Sequence, residues 1–148
     1  MKPKSFKEMV GASIYDKAGD ATFEKVAGSA EVICMYFSAH WCGPCRSFTP
    51  QLITAYNAMI AKKCPIQIFF CSFDHSEKDY KEYFGSMPWA SLGFKNPIAE
   101  SLGNDFGVEG IPALLVFDKN GNLLTKEGRG DIGSSKAEAF NKWKALIH

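Results

Sequence analysis

The sequence predicts an α/β fold, a central mixed β-sheet flanked by α-helices on both faces, on three observations. Two runs, Glu31 to Ser38 and Ile66 to Phe73, are apolar nearly throughout, the pattern of strands covered on both sides. Stretches with three- and four-residue apolar spacing lie between and after them, so strand and helix alternate as in parallel strands joined by crossovers. Near the C-terminus, Asn120-Gly121 separates two further apolar runs, a hairpin signal that adds an antiparallel edge.

Taken in order, residues 1–22 read as an N-terminal extension. In it Ser13-Ile14-Tyr15 forms a short strand and Lys17 to Asp20 a turn, a small hairpin. Thr22 to Gly28 predicts a short helix capped by Thr22. After the first central strand, Phe48, Leu52, Ala55, Tyr56 and Met59 give helical spacing from Cys45 to about Lys62, and Pro50 should kink that helix. Ser76 caps a helix to Phe84 with Tyr80, Tyr83 and Phe84 inward, and Met87-Pro88-Trp89 ends it. Pro97 begins another helix, to Phe106, at the position where proline is favoured. Ala113 to Phe117 and Leu123 to Glu127 are the hairpin strands. Ser135 to Ile147 closes the chain as one helix, with Phe140, Trp143 and Leu146 on one face.

Composition narrows the function. The 148 residues, 46% hydrophobic and 14% aromatic, predict a single domain over 1–148 with a substantial core. A net charge of +1 with mixed signs excludes the basic stripe of a nucleic-acid binder. No segment approaches the roughly 20 apolar residues of a membrane span, and no apolar stretch follows Met1 to Val10 as in a secretion signal. The expectation is a cytoplasmic chain, nuclear also by diffusion.

The five cysteines carry the chemistry. Cys42 and Cys45 fall where the first central strand gives way to a helix, a spacing that lets them close into a small disulfide and reopen. A helix N-terminus favours negative charge, and thiolate is the nucleophile of disulfide exchange. The competing reading is a structural zinc half-site or two inert thiols, but zinc requires four ligands and a second such pair is missing. Cys34 and Cys71 lie inside strand runs as core residues. Cys64, in Lys62-Lys63-Cys64-Pro65, is either an exposed regulatory thiol or a passive one. Ile111-Pro112, between a glycine and an apolar strand, is the second informative element, and on residues alone it stands open between cis and trans. A cis bond would leave the Ile111 backbone free to pair with an extended substrate near the sulfurs.

Trp41-Cys42-Gly43-Pro44-Cys45, Pro50 and Gly110-Ile111-Pro112 together resemble the thioredoxin superfamily. Tyr36 to Cys42, Cys45 to Leu52, Met87-Pro88-Trp89 and Phe106 to Pro112 resemble its nucleoredoxin and tryparedoxin branch. The resemblance implies a thioredoxin fold, a cis Pro112 and dithiol–disulfide oxidoreductase activity. Cys42 would attack and Cys45 resolve, with Trp41, Gly43 and Pro44 beside them and Ile111 and Pro112 as the substrate-facing wall. It implies no bound cofactor beyond a redox-active Cys42–Cys45 disulfide, and a monomer acting on disulfide-containing proteins. A flavin-dependent reductase, or a small-molecule thiol such as glutathione or trypanothione, would recharge it.

Three departures matter. Gly43 stands where the branch usually carries proline, which points toward the reducing thioredoxin end of the potential range, about −270 mV. Tyr36 stands where thioredoxins bury an aspartate, so deprotonation of Cys45 falls to Asp74 or water. Phe73-Asp74-His75 stands where tryparedoxins tend to carry Trp-Asp-Glu, which weakens a trypanothione-using role.

The remaining polar candidates read both ways. His40 is a cation tuning Cys42 or an exposed loop residue, and His75 a pH-dependent contact or a solvated one. Trp89 is expected as a packing anchor. Arg129 at the end of the hairpin strand borders the sulfurs to attract anionic groups, or is an ordinary surface arginine. The rival to an oxidoreductase is a redox-sensitive binding module with little turnover. A peroxidase is a third reading, for which no second cysteine motif is present.

Overall fold

A computed structural model describes residues 14–16 and 19–147; Ser13, Lys17 and Ala18 of the expected strand and turn lie outside the described residues. On either side of that turn, β1 (Ile14–Asp16) pairs antiparallel with β2 (Gly19–Ala21). Thr22 then accepts the Lys25 N–H at 3.2 Å and caps α1 (Phe23–Ala27).

The first apolar run becomes β3 (Val32–Ser38), buried at all seven residues. It lies parallel to β4 (Ile66–Ser72) on one side and antiparallel to β6 (Ala113–Asp118) on the other. A two-residue strand that the sequence did not signal, β5 (Ala90–Ser91), runs parallel to β4 and pairs Ser91 with Tyr15 of β1. The N-terminal hairpin is thereby part of the sheet. With β7 (Leu123–Thr125), the described strands order as β2-β1-β5-β4-β3-β6-β7. Between β6 and β7, Gly121 adopts φ +90°, open to glycine, while the Asp118 carboxylate accepts the backbone N–H groups of Asn120 and Asn122 at 2.9 and 3.0 Å.

Helices cover both faces because side chains alternate along each strand. Val32, Cys34, Tyr36, Ile68 and Phe70 pack with residues of α2 (Gly43–Ala61) and α3 (Glu77–Phe84). Ile33, Met35, Phe37, Phe69 and Cys71 face α1 and α4 (Pro97–Asp105). Trp89 is buried against Tyr36 and Tyr56, edge to face with each, and serves as the expected packing anchor. Among the described residues, no helix is long and apolar enough to cross a membrane.

The long helix continues as one element through Pro50, which has no N–H for the preceding turn. The closing helix expected over Ser135 to Ile147 is corrected: a 3₁₀ turn at Lys136–Glu138 leads into the shorter α6 (Ala139–Lys144), and α5 (Gly128–Ser135), which the sequence did not signal, precedes them. Lys136, at φ +51° and ψ −129°, breaks the helical path. Asp131 then ties the two helices, accepting the Trp143 indole N–H at 3.0 Å and the Lys142 ammonium at 3.2 Å. Phe140 and Trp143 are buried, but Leu146 is exposed. Gly128 lets α5 sit close on β6: a Cβ there would stand 2.7 Å from the Leu114 carbonyl oxygen.

Candidate active site

The end of β3 delivers the site. Ala39 accepts the Cys42 N–H at 3.2 Å in a tight turn, and α2 begins at once. Cys42 is the N-cap of that helix, with extended backbone and its sulfur accepting the Cys45 N–H at 3.3 Å. Sulfur therefore stands where a capping oxygen usually does, at the helix end that favours an anion. Pro44 lies in the first turn, where its missing N–H has no helical partner to lose.

Across from the helix, the Ile111–Pro112 peptide bond is cis. The Ile111 carbonyl faces the Cys42 thiol at 3.8 Å. Both cysteines are thiols. They differ in access: Cys42 retains 7% of its surface and Cys45 none. Burial, then the neighbouring Cys42, pushes the Cys45 thiol up to about 11; the Ser38 hydroxyl, hydrogen-bonding to it, and the Ala39 backbone pull the other way.

Trp41 is 52% exposed beside the sulfurs, with its indole N–H donated to the Phe73 carbonyl at 2.9 Å. His75 is exposed and stacks on it, ring centres 5.1 Å apart. His40 is half-buried rather than exposed: its ring stacks on Tyr83 at 5.3 Å and its N–H donates to Asp74 at 2.7 Å. The other oxygen of Asp74 accepts the Ser72 hydroxyl at 2.7 Å. Both Asp74 oxygens are thus engaged, one by the His40 backbone N–H and one by the Ser72 hydroxyl. Arg129 belongs to α5 rather than to a hairpin strand. It lines a groove of about 640 Å³ with Pro44, Gln51, Pro112, Lys126 and Glu127, so it does border the active-site loop.

Three residues that sequence reasoning missed complete the surroundings. The hydroxyls of Ser38, Thr49 and Tyr83 join that of Tyr36 in a buried cluster with O–O distances of 2.6 Å. The available signal was a serine ending an apolar strand and a threonine within an apolar helical stripe. Among the described residues, the one group with metal-ligand character is His40, Asp79 and Glu82, within 4.8 Å of one another. It includes neither Cys42 nor Cys45, so the donor set of a structural zinc site is not assembled around them.

A thioredoxin-like family model matches residues 29–123 of this chain, which holds the whole of this constellation except Lys126, Glu127 and Arg129. The chain belongs to the thioredoxin-like family. It lies in the nucleoredoxin and tryparedoxin branch of this oxidoreductase family. It is 34% identical over 131 residues to nucleoredoxin of Mus musculus, covering 88% of this chain and 30% of that protein. It is 39% identical over 110 residues to probable nucleoredoxin 1 of Arabidopsis thaliana, covering 74% and 19%. Among solved structures it resembles tryparedoxin II complexed with glutathionylspermidine, at a TM-score of 0.81 and 33% identity over 90% of this chain and 94% of that one. The sheet and its helices are accordingly a thioredoxin fold. The chain spans a third or less of the length of these nucleoredoxins.

Proposed function

We propose that this thioredoxin-like chain reduces disulfides through Cys42 and Cys45. The observation that carries the reading is the asymmetry of the pair. Cys42 caps a helix N-terminus at the rim of the fold, while Cys45 lies covered one turn behind it. The thiolate of Cys42 attacks one sulfur of a substrate disulfide, forms a mixed disulfide and expels the other sulfur as a thiolate, which takes a proton from water. Cys45 then attacks the Cys42 sulfur. The Cys42–Cys45 bond forms, the bond to substrate breaks, and the second substrate sulfur leaves with the proton Cys45 gives up. A dithiol or a flavin-dependent reductase restores the pair.

Exposed Trp41 and the cis Pro112 wall provide an apolar surface on which a protein substrate can lie. That same surface favours a second reading, a binding module whose grip follows the oxidation state of the pair. Insulin-disulfide reduction separates the two, run in turn with thioredoxin reductase plus NADPH, glutathione and trypanothione. Turnover with one donor, lost in Cys42→Ser, supports the oxidoreductase and names its donor class. No turnover with any donor, despite a reversible Cys42–Cys45 disulfide, favours the module.

A further inference from the structure

We propose that His40, Asp79 and Glu82 form a binding site for a zinc-class divalent cation, built without sulfur at the loop that leads to Cys42. The proposal goes beyond the disulfide-exchange reading and does not depend on it. It starts from a juxtaposition: one ligand atom from each of the three residues lies within 4.8 Å of the other two. His40 belongs to the loop between β3 and α2, whereas Asp79 and Glu82 belong to α3, so two elements distant in sequence bring the donors together.

The fold explains why they meet. Side chains three or four residues apart on a helix are neighbours, and each leans toward the helix N-terminus. Tyr83, buried on α3, therefore lies next to Asp79, one turn earlier. The His40 ring stacks on Tyr83 with ring centres 5.3 Å apart, which sets the imidazole beside that turn. Both backbones are anchored independently of any ligand. The His40 N–H donates to Asp74 at 2.7 Å, and the Asp79 N–H donates to the capping Ser76 hydroxyl at 3.1 Å.

The donor atoms themselves are uncommitted. Among the described residues, the ring nitrogens of His40 and the carboxylates of Asp79 and Glu82 have no hydrogen-bond partner and no salt bridge. Glu77, on the same helix, is by contrast already paired with the Lys81 ammonium at 3.1 Å. Two carboxylates held this close repel each other, and a divalent ion between them removes that repulsion. One imidazole with two carboxylates suits a first-row divalent ion, three protein ligands leaving a fourth position to water as in open zinc sites. Zinc bonds of about 2.0–2.2 Å put neighbouring donors roughly 3.3 Å apart, so the set closes on loading. Glu82, exposed and with the longest side chain of the two acids, supplies that movement, while half-buried His40 and Asp79 fix where the ion sits. Occupation joins the loop that leads to Cys42 to the helix that carries Tyr83.

Zinc(II) and cobalt(II) binding to the full chain tests this, in a variant carrying Cys42→Ser and Cys45→Ser so that the sulfur pair cannot compete. Titration calorimetry is expected to show one equivalent of zinc bound. Cobalt should give visible d–d absorption without thiolate charge-transfer bands, and should broaden the ring NMR signals of His40 more than those of His75. Asp79→Asn and Glu82→Gln should each weaken zinc binding about tenfold or more, since loss of even an outer-shell partner commonly costs that much. Glu77→Gln, which removes an acid of the same helix outside the donor set, should leave binding unchanged. These substitutions fall at exposed or half-exposed positions, so the variants remain folded for the comparison. No zinc binding in the double-serine variant overturns the proposal. So does binding that survives the loss of both Asp79 and Glu82 carboxylates, or that broadens His75 rather than His40.

Discussion

Two sulfurs three residues apart have unlike surroundings, because one caps the helix and the other lies beneath its first turn. Cys42→Ser is therefore expected to abolish disulfide reduction, with turnover in the insulin assay as the check. Cys45→Ser should instead accumulate mixed disulfides with substrate, visible as adducts on non-reducing gels and by mass spectrometry. The raised Cys45 thiol sets the sign of the pH dependence. Because its ionisation lies at about 11, resolution in the parent protein should accelerate as pH rises through the neutral and alkaline range toward that value. A resolution rate flat between neutral pH and pH 10 would contradict this.

Among elements, the contrast lies between those that carry a periodic signal and those that do not. β3, β4 and α2 were legible because each buries a long run or stripe of apolar side chains. The sulfur pair stood out too, since its chemistry resides in a short contiguous motif, whereas the cis bond at Pro112 followed only from the family resemblance. The helix over Gly-Arg-Gly-Asp-Ile-Gly-Ser-Ser was not: it has three glycines, no side-chain cap and one buried large apolar side chain, Ile132. Tertiary packing makes it helical, through the close seat of Gly128 on Leu114. Gly128→Ala is accordingly expected to lower stability by about 1–3 kcal/mol, the usual range for overpacking, as read from denaturant midpoints. The hydroxyl cluster escaped for a related reason. Its members come from β3, α2 and α3, and no local spacing announces that they meet.

The whole molecule has a sheet buried on both faces, and it pays an alkaline penalty for the thiols and phenols enclosed there. Burial raises the ionisation of Cys34, Cys71 and Tyr36 above its ordinary range. The native state thus holds protons that the unfolded chain releases. That contribution to stability is fully present below the ordinary thiol range, about pH 8.5, and is lost as pH rises above it. The slope approaches about 1.4 kcal/mol per pH unit for each group. Thermal midpoints measured from pH 7 to 11 should fall accordingly, and replacing Cys34 and Cys71 together by alanine should flatten the fall at high pH while lowering stability at pH 7.

The placement of the three tryptophans turns the protein into its own optical sensor. Trp89 and Trp143 are enclosed, at 2% and 1% exposure, while Trp41 stands half in solvent beside the sulfurs with His75 against its ring. Emission from the first two is set by the core and stays constant as long as the fold does. The red-shifted component belongs to Trp41, and a disulfide quenches indole emission more strongly than a pair of thiols. The long-wavelength intensity alone should therefore rise on reduction of the pair, allowing its midpoint potential to be titrated without label or substrate.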